Sequence, residues 1–190
     1  MNRFENWFCA SPFWRCVTRR QLLPWILAGS ELGDHVLEIG AGPGAATEEL
    51  RRRATRVTSL EYDHDFAASL AARQLGNRGA VLQGDAAALP FPDNSFSSAI
   101  AVLVLHHLRS PELQNQAFTE IFRVLRPGGL FLAFEIQDGW LQRFGHIRST
   151  FVPVKPATLS ARLTTAGFAG VTLDFRRGAF RVRALRGRAG

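Results

Sequence analysis

The sequence predicts an α/β protein with a doubly wound, mostly parallel sheet of seven strands and helices on both faces. Seven short apolar runs with strand character recur along the 190 residues, and helical stretches separate most of them. Such alternation is typical of parallel sheets that are covered on both faces. The last two runs are joined by about three residues around Gly178, which leaves room only for a hairpin, so the last strand should run antiparallel.

The elements are justified in chain order by local signals. The helix after the first strand has Glu48 early and basic residues 51–53 late, which suits the helix dipole. The clearest helix begins with Ser110 as N-cap and Pro111 at its first position, and we expect it to stop at the Pro-Gly-Gly of 127–129. The predicted strands are 36–39, 57–61, 80–83, 98–104, 130–136, 171–175 and 179–185.

Residues 1–32 stand apart from this pattern and are rich in aromatic side chains. We expect them to form a helical cap on a single domain whose main part is 33–190. Thr18 and Gln21 have the spacing of a capping box. Two further interpretations stay open: the cap is a lid over a substrate, or residues 1–30 contact a lipid surface.

The charge of the chain is strongly positive. The formal net charge is +7, and Lys155 is the only lysine among the basic residues. Arginine binds phosphate well, so a nucleic-acid partner has to be considered. Six arginines lie within 176–188, where Phe180, Val182 and Ala184 occupy alternate positions, as in an edge strand with one solvated face. We therefore favour a solvated strand and consider nucleic-acid binding the weaker interpretation.

The sequence also bears on location. No apolar run reaches the roughly 20 residues that a membrane-spanning helix needs. Pro24 interrupts the apolar run after Arg19 and Arg20, which argues against a secretory signal. Cys9 and Cys16 match no disulfide framework and no metal-binding spacing. We expect a cytoplasmic protein without a metal site, with peripheral membrane contact as an open alternative.

The most informative stretch is the glycine-rich turn after the first predicted strand. Gly40, Gly42 and Gly44 have no Cβ, so a ligand can approach the backbone closely. Backbone N–H groups at the start of the following helix face such a ligand. Because residues 40–45 also satisfy a dinucleotide-binding pattern, the loop by itself fits two types of cofactor.

Three carboxylates favour one of these cofactors. Glu38 comes just before the glycines, where it would attract an ammonium group and repel a pyrophosphate. Glu61 closes the next predicted strand, where a carboxylate can accept hydrogen bonds from ribose hydroxyls. Asp85 follows the third strand, where it can accept from the exocyclic amine of adenine.

In combination, these motifs resemble the class I S-adenosylmethionine-dependent methyltransferases. The closest likeness is to the branch that includes the ubiquinone and menaquinone methyltransferases. The resemblance covers roughly residues 34–137 and implies a Rossmann-like fold, with S-adenosylmethionine bound in a methyltransferase domain at 33–190. Ser97 departs from the family, which often has aspartate there in a structural role. The stretches that carry the resemblance are 36–47, 60–62, 84–96, 105–108 and 125–130.

The resemblance also implies roles for single residues. Glu38 would face the methionine end of the cofactor, and Glu61 would hold both ribose hydroxyls. Asp85 and Ala86 would read the edge of adenine, with Tyr62 beside the ring. The remaining implied contacts come from the loop and from the backbone of the fourth strand, at Gly40, Ala41, Gly42, Gly44 and Ala101.

Methyl transfer requires little of the protein beyond positioning the acceptor and excluding water, because the cofactor brings the reactivity. An acceptor hydroxyl or acidic carbon would benefit from a base. The candidate bases are His106, His107 and His146, although a histidine after a buried strand is more often structural.

The acceptor itself is the least determined feature. Aromatic residues in 1–30 and 137–156 would wall a site beyond the carboxyl ends of the strands, which suggests a small, lipophilic or aromatic acceptor. The chain lacks the motifs of nucleic-acid base methylation, but RNA ribose and protein methylation stay open. Two other classes are a nicotinamide-dependent oxidoreductase and a non-catalytic cofactor-binding module. Against the former, Tyr62 is the only tyrosine and little chain remains for a substrate domain.

Overall fold

The computed structural model describes residues 3–73, 79–140, 143 and 149–188, with side chains from residue 7 onward. The segment before the first strand is helical and comprises α1 (Arg3–Ala10), α2 (Pro12–Val17), a π-helical turn (Thr18–Leu22) and α3 (Leu23–Ile26). Strands and helices then follow in the order β1 (His35–Ile39), α4 (Thr47–Arg53), β2 (Arg56–Glu61), α5 (His64–Ala71), β3 (Gly79–Gln83), β4 (Phe96–Val102), a 3-10 helix (Leu105–His107), α6 (Pro111–Val124), β5 (Leu125–Ile136), α7 (Pro156–Thr165), β6 (Phe168–Arg176) and β7 (Ala179–Arg186).

The seven strands form one sheet in the order β3-β2-β1-β4-β5-β7-β6. β1 pairs in parallel with both β2 and β4, whereas β7 is antiparallel to both of its neighbours. All strands except β7 therefore run in one direction. The predicted α/β class, mostly parallel sheet and antiparallel last strand are confirmed. Since the chain winds outward from β1 to β3 and then returns to β4, the topological switch point lies between β1 and β4.

Helices cover both faces of this sheet. Leu37 and Phe131 belong to a core that α6 and α7 complete. Val36 and Leu132, their neighbours in the chain, belong to a second core with α3 and α4. Because both faces are buried, the central strands need apolar residues at nearly every position, which accounts for the continuous apolar runs in the sequence.

Several strand boundaries differ from the prediction, since β5 begins at Leu125 instead of 130 and β6 spans Phe168–Arg176 instead of 171–175. α6 ends at Val124, and β5 begins at Leu125, before the Pro-Gly-Gly that was expected to stop the helix, because Leu125 already pairs with Phe96 of β4. β4 ends at Val102, since Leu103 has a positive φ of 56° that turns the chain out of the sheet. The start of α6 is confirmed: the side chain of Ser110 caps its first turn.

The capping box predicted at Thr18 and Gln21 is wrong. The chain is already helical before Thr18, and its buried hydroxyl has no hydrogen-bond partner. A cap needs a non-helical residue whose side chain accepts a free N–H. Ser11 meets this condition for α2, because it is extended and accepts the N–H of Trp14 at 3.1 Å. Within the described ranges, no helix has the length and hydropathy to cross a membrane.

Ser97 has the structural role that the resemblance implied for its position. Its hydroxyl accepts the backbone N–H of His35 at 3.0 Å and lies 2.8 Å from the carbonyl oxygen of Leu32. The arginines near the C-terminus also serve the fold. Arg181 pairs with Asp174 at 2.7 Å across the terminal hairpin. On the same hairpin, the predicted inward residues are buried, namely Phe180, Val182 and Ala184.

Candidate active site

A cavity of about 620 Å³ lies at the carboxyl end of the parallel strands, at the switch point between β1 and β4. Small-molecule and cofactor sites commonly measure roughly 300–1,000 Å³. The glycine loop, the ends of β1 to β3, the turn after β4 and the N-terminal helices all contribute to its lining. The structure brings to this cavity most residues predicted from the sequence: Glu38, Gly40, Ala41, Gly42, Glu61, Tyr62, Asp85, Ala86, His106 and His107.

Gly40 allows the exits of β1 and β4 to approach each other. Its φ of +67° lies in the left-handed region, and a Cβ there would be 2.2 Å from Cγ2 of Val104. The N–H of Gly40 donates to the carbonyl of Leu60 at 2.8 Å, which fixes the start of the loop against β2. A larger residue would therefore displace the loop from the cavity.

Gly42 and Gly44 have different structural roles in this loop. Gly42 lines the cavity with a φ of +51°, and the space where a Cβ would stand is open. Gly44 is not among the lining residues, and its Cβ would lie 2.6 Å from Cδ1 of Leu70. Gly44 thus serves the packing of the loop on α5, whereas Gly42 leaves room at the cavity itself.

Glu38 is almost wholly buried at the end of β1, beside the cavity. Its Oε2 accepts hydrogen bonds from the hydroxyls of Thr47 and Ser59, both at 2.7 Å. Burial raises the pKa of Glu38 to about 6, although the two hydroxyl donors act in the opposite direction. A cationic group placed next to this carboxyl would favour its charged form.

Glu61 links the end of β2 to the glycine loop. Its Oε2 accepts the N–H of Gly42 at 2.7 Å, and its Oε1 accepts the N–H of Asp63 at 2.9 Å. Because a carboxylate offers about four acceptor positions, it can still bind hydroxyl donors while it holds the loop. Tyr62 follows at the rim of the cavity and is 64% exposed.

Asp85 begins the turn after β3. Its Oδ1 accepts the N–H of Ala87 at 2.8 Å, so it has the turn-forming role that the residue type favours. It is nevertheless only half-buried and lines the cavity, with buried Ala86 beside it. The turn role therefore does not prevent its carboxylate from facing a ligand.

Ala101 is not brought to the cavity. It is fully buried inside β4, where its backbone lies between Ile39 of β1 and Ala133 of β5. The three residues that follow it, 102–104, line the cavity instead.

A buried acid–base pair lies under the turn after β4. His106 Nδ1 is 2.5 Å from Oε2 of Glu135, which projects from β5. The other oxygen of Glu135 accepts the N–H of Leu105 at 2.7 Å and that of Val104 at 3.1 Å. One carboxyl group thus fixes both the turn and the orientation of the imidazole, and a carboxylate there favours the proton on Nδ1.

The other two candidate histidines differ in what the structure shows. His107 lines the cavity, and its Nδ1 lies 3.1 Å from the carbonyl oxygen of Thr150, a contact that ties the turn to the chain before α7. His146 lies outside the described residues.

Glu135 and Thr18 are among the residues of this site that were missed from the sequence. Glu135 closes an apolar strand, as Glu38 and Glu61 do, so the same signal was available. Thr18 has a buried hydroxyl without a hydrogen-bond partner and lines the cavity. Its sequence position gives no such signal, because only tertiary packing brings the N-terminal helices to the strand ends.

The fold and the site together define an α/β protein with a cofactor site at a topological switch point. The shape and the polar groups of this cavity fit S-adenosylmethionine. The space at Gly42 is open, Glu38 can face a cation, and the carboxylates of Glu61 and Asp85 can accept from hydroxyl and amine donors. Glu38 is also badly placed for a pyrophosphate, which a dinucleotide would bring to this loop.

Comparison with known proteins assigns the family. A model of the methyltransferase domain matches residues 37–133, just over half of the chain. The chain therefore belongs to the methyltransferase domain family, in its S-adenosylmethionine-dependent class with the Rossmann-like fold. This assignment decides against the nicotinamide-dependent oxidoreductase.

Curated relatives agree with this class. The chain is 38% identical over 114 residues to a probable S-adenosylmethionine-dependent methyltransferase of Mycolicibacterium smegmatis, covering 60% of this chain and 42% of that protein. It is 32% identical over 127 residues to a demethylmenaquinone methyltransferase of Renibacterium salmoninarum, covering 65% and 48%. It is 30% identical over 129 residues to a sterol 24-C-methyltransferase of Aspergillus fumigatus, covering 65% and 33%. The chain thus spans a third to about half of the length of these relatives.

Solved structures share the fold over nearly the whole chain. A protein from Pyrococcus horikoshii superposes with a TM-score of 0.82 at 18% identity, covering 98% of this chain and 99% of that one. An N-methyltransferase of Bradyrhizobium japonicum in complex with S-adenosyl-L-homocysteine gives a TM-score of 0.70 at 20% identity, covering 93% and 88%. At these identities the likeness establishes the architecture alone.

Proposed function

We propose that the protein transfers the methyl group of S-adenosylmethionine to a small, lipophilic acceptor. The observation that carries this proposal is the lining of the cavity, which includes a group of carboxylates and a group of large apolar side chains, here called its polar and its apolar part. The polar part is formed by Glu38, Glu61 and Asp85 around the glycine loop. The apolar part is formed by side chains from other elements: Phe8, Trp14, Leu108, Leu113 and Ile136.

The polar part is assigned to the cofactor. Glu38 faces the ammonium group of the methionine portion, Glu61 accepts from the ribose hydroxyls, and Asp85 accepts from the adenine amine. Tyr62 covers the adenine ring. S-adenosylmethionine supplies an electrophilic methyl group when bound. The backbone of Ala101, which is enclosed in the sheet, is a weaker candidate for a contact than residues 102–104, which line the cavity.

The apolar part is assigned to the acceptor, and His106 is assigned the role of the base that removes a proton from it. Glu135 orients the imidazole through Nδ1, so the ring is held in one position at the cavity wall. A base of this kind suits an acceptor hydroxyl or an acidic carbon, whose proton must leave as the new bond forms. Phe8 and Trp14, from the N-terminal helices, exclude water from this part of the cavity.

RNA and proteins fit this cavity less well than a small lipophilic molecule. Among the described lining residues, Arg109 is the only arginine or lysine, so the cavity offers little to a phosphate backbone. Two of the relatives are named for a sterol and for demethylmenaquinone, both in keeping with a lipophilic acceptor.

An acceptor panel tests the proposal by measuring release of S-adenosylhomocysteine. We expect turnover with quinols, phenols and sterols and none with nucleosides, RNA or charged amino acids. His106→Asn should lower kcat by about 10²–10⁴-fold, the usual contribution of a general base, while the Kd for S-adenosylmethionine stays unchanged.

His64→Gln is the matched control for His106→Asn, because His64 is exposed on α5 and does not line the cavity. It should retain full activity. Turnover confined to hydrophilic, charged acceptors would overturn the proposed acceptor class. Tight cofactor binding without product release for any acceptor would instead support the non-catalytic module.

A further inference from the structure

The N-terminal helical segment presents two chemically distinct sides. Its inner side lines the cavity through Phe8, Trp14 and Thr18. Its outer side carries Trp7 and Phe13, each 67% exposed and neither among the lining residues. Large apolar side chains held this far into water commonly mark an interaction surface.

The charge of this segment is mainly positive. Residues 1–32 contain Arg3, Arg15, Arg19 and Arg20 against Glu5 and Glu31. Arg15, Arg19 and Arg20 are exposed, although Arg19 also pairs with Glu49 of α4 at 3.6 Å, and the protein as a whole carries a formal charge of +7. Exposed aromatics combined with arginines are the composition of helices that lie in the interface of an anionic membrane.

The arrangement of the aromatic rings supports the same surface. Phe8, on the inner side, lies 6.5 Å from Phe13 and 5.2 Å from Trp14, measured between ring centroids. Phe13 therefore packs against Phe8, which lines the cavity, and its ring is held by this contact. A tryptophan and a phenylalanine held in this way can enter the headgroup region of a bilayer while the helix stays folded.

We propose that the outer face of this segment, defined as Trp7, Phe13, Arg15 and Arg20, docks on an anionic lipid bilayer. The inner side of the same helices walls the acceptor part of the cavity, so docking brings that part next to the lipid. The benefit of docking rests on the proposed function, because a lipophilic acceptor dissolved in the bilayer would then reach the cavity without crossing water. The docking itself requires only the outer face.

Flotation with vesicles tests the docking without any acceptor. We expect the protein to bind vesicles of phosphatidylcholine mixed with phosphatidylglycerol and to bind pure phosphatidylcholine far less. Trp7→Ser with Phe13→Ser should weaken binding to the mixed vesicles at least about tenfold, because the inserted apolar area is lost. Arg15→Gln with Arg20→Gln should weaken it by a comparable factor at low salt and by little at high salt.

Arg56→Gln with Arg188→Gln is the charge-matched control. These exposed arginines begin β2 and follow β7, at the amino end of the parallel strands, and the control should bind vesicles like the wild type. The Kd for S-adenosylmethionine should be the same in all variants, which shows that they are folded.

Equal vesicle binding by wild type and the Trp7/Phe13 variant, or no binding by the wild type, would overturn the proposal. So would a dimer in solution that the aromatic variant abolishes, since the face would then belong to a second copy. The two proposals fail separately: vesicle binding without turnover sinks the acceptor assignment, and turnover without vesicle binding sinks the docking.

Discussion

Glu61 and Asp85 each accept a backbone N–H and line the same cavity. Substituting either residue therefore affects both cofactor binding and the support of its loop, and two measurements distinguish these effects. Asp85→Ala and Glu61→Ala should each weaken S-adenosylmethionine binding by about 1–3 kcal/mol, the usual cost of losing hydrogen bonds to a charged group. Calorimetry measures the affinity, and urea unfolding reports any loss of loop support. Asp93→Ala, which removes an exposed carboxylate that pairs with Arg123, is the control. Unchanged affinity in both site variants would refute the assignment.

Glu38 links stability to pH. Burial raises its pKa from 4.5 to about 6 in the folded protein. The protonated form is therefore favoured by folding, and this stabilisation is lost as the pH rises from about 4.5 through about 6. The rise of this pKa from 4.5 to about 6 corresponds to a loss of about 2 kcal/mol of stability at neutral pH.

Glu38→Gln should reveal this loss, because a glutamine stays neutral. Between pH 4.5 and 7 the free energy of unfolding of the variant should rise by about 2 kcal/mol relative to the wild type, in the absence of cofactor. Urea unfolding at both pH values measures it. A difference between variant and wild type that does not change with pH would contradict the buried, raised-pKa carboxyl.

Among single residues, the sequence was most informative about acids at strand ends. Glu38, Glu61 and Asp85 all line the cavity, as expected. Glu135 obeys the same pattern and was missed, because one acid in an apolar strand is equally compatible with an exposed edge. His106 was singled out, but its partner was not, since the two are 29 residues apart and meet only where β4 and β5 pair.

At the scale of elements, the glycine loop both lines the cavity and packs on α5, and substitutions at Gly42 and Gly44 can separate these two functions. Gly42→Ala places a methyl group in the open space at the cavity and should weaken cofactor binding at least about tenfold, with about 1–2 kcal/mol of backbone strain. Gly44→Ala carries the same kind of strain and also meets Leu70 of α5, so it should destabilise the fold further, by about 1–3 kcal/mol.

Gly44→Ala should keep most of its cofactor affinity below its melting temperature. Thermal unfolding and calorimetry on both variants provide the two readouts. Equal losses of affinity in the two variants would show that the loop acts as one unit and would contradict this division of roles.

Elements with strong local signals were predicted well, and those with competing signals were not. Ser110 followed by Pro111 leaves little choice but a helix start, and the structure has one there. Thr18 has a capping pattern, but the helix already runs through it, so no free N–H remains for its side chain. The end of α6 was placed too late because pairing of Leu125 with Phe96 overrides local helical preference.

At the scale of the whole molecule, the sheet turns distant residues into one site. The ends of β1, β2 and β3 bring the carboxylates of Glu38, Glu61 and Asp85 to one cavity, and the turn after β4 brings His106. Parallel strands share one carboxyl edge, so the four turns meet even though they are separated by helices in the chain. The N-terminal helices close this edge, which places the proposed membrane-docking face and the acceptor part of the cavity on the two sides of one segment.

The sequence by itself determined the α/β class, the glycine loop and the carboxylates at the strand ends, because these depend on local pattern and on the chemistry of single residue types. Tertiary structure alone decided which glycine serves the cavity, that Ala101 is enclosed in the sheet, and that Glu135 holds His106. It also decided that Trp7 and Phe13 face outward while Phe8 and Trp14 face the cavity. These outcomes depend on which surfaces meet after the strands pair, and contacts between residues far apart in the chain leave no periodic trace in it.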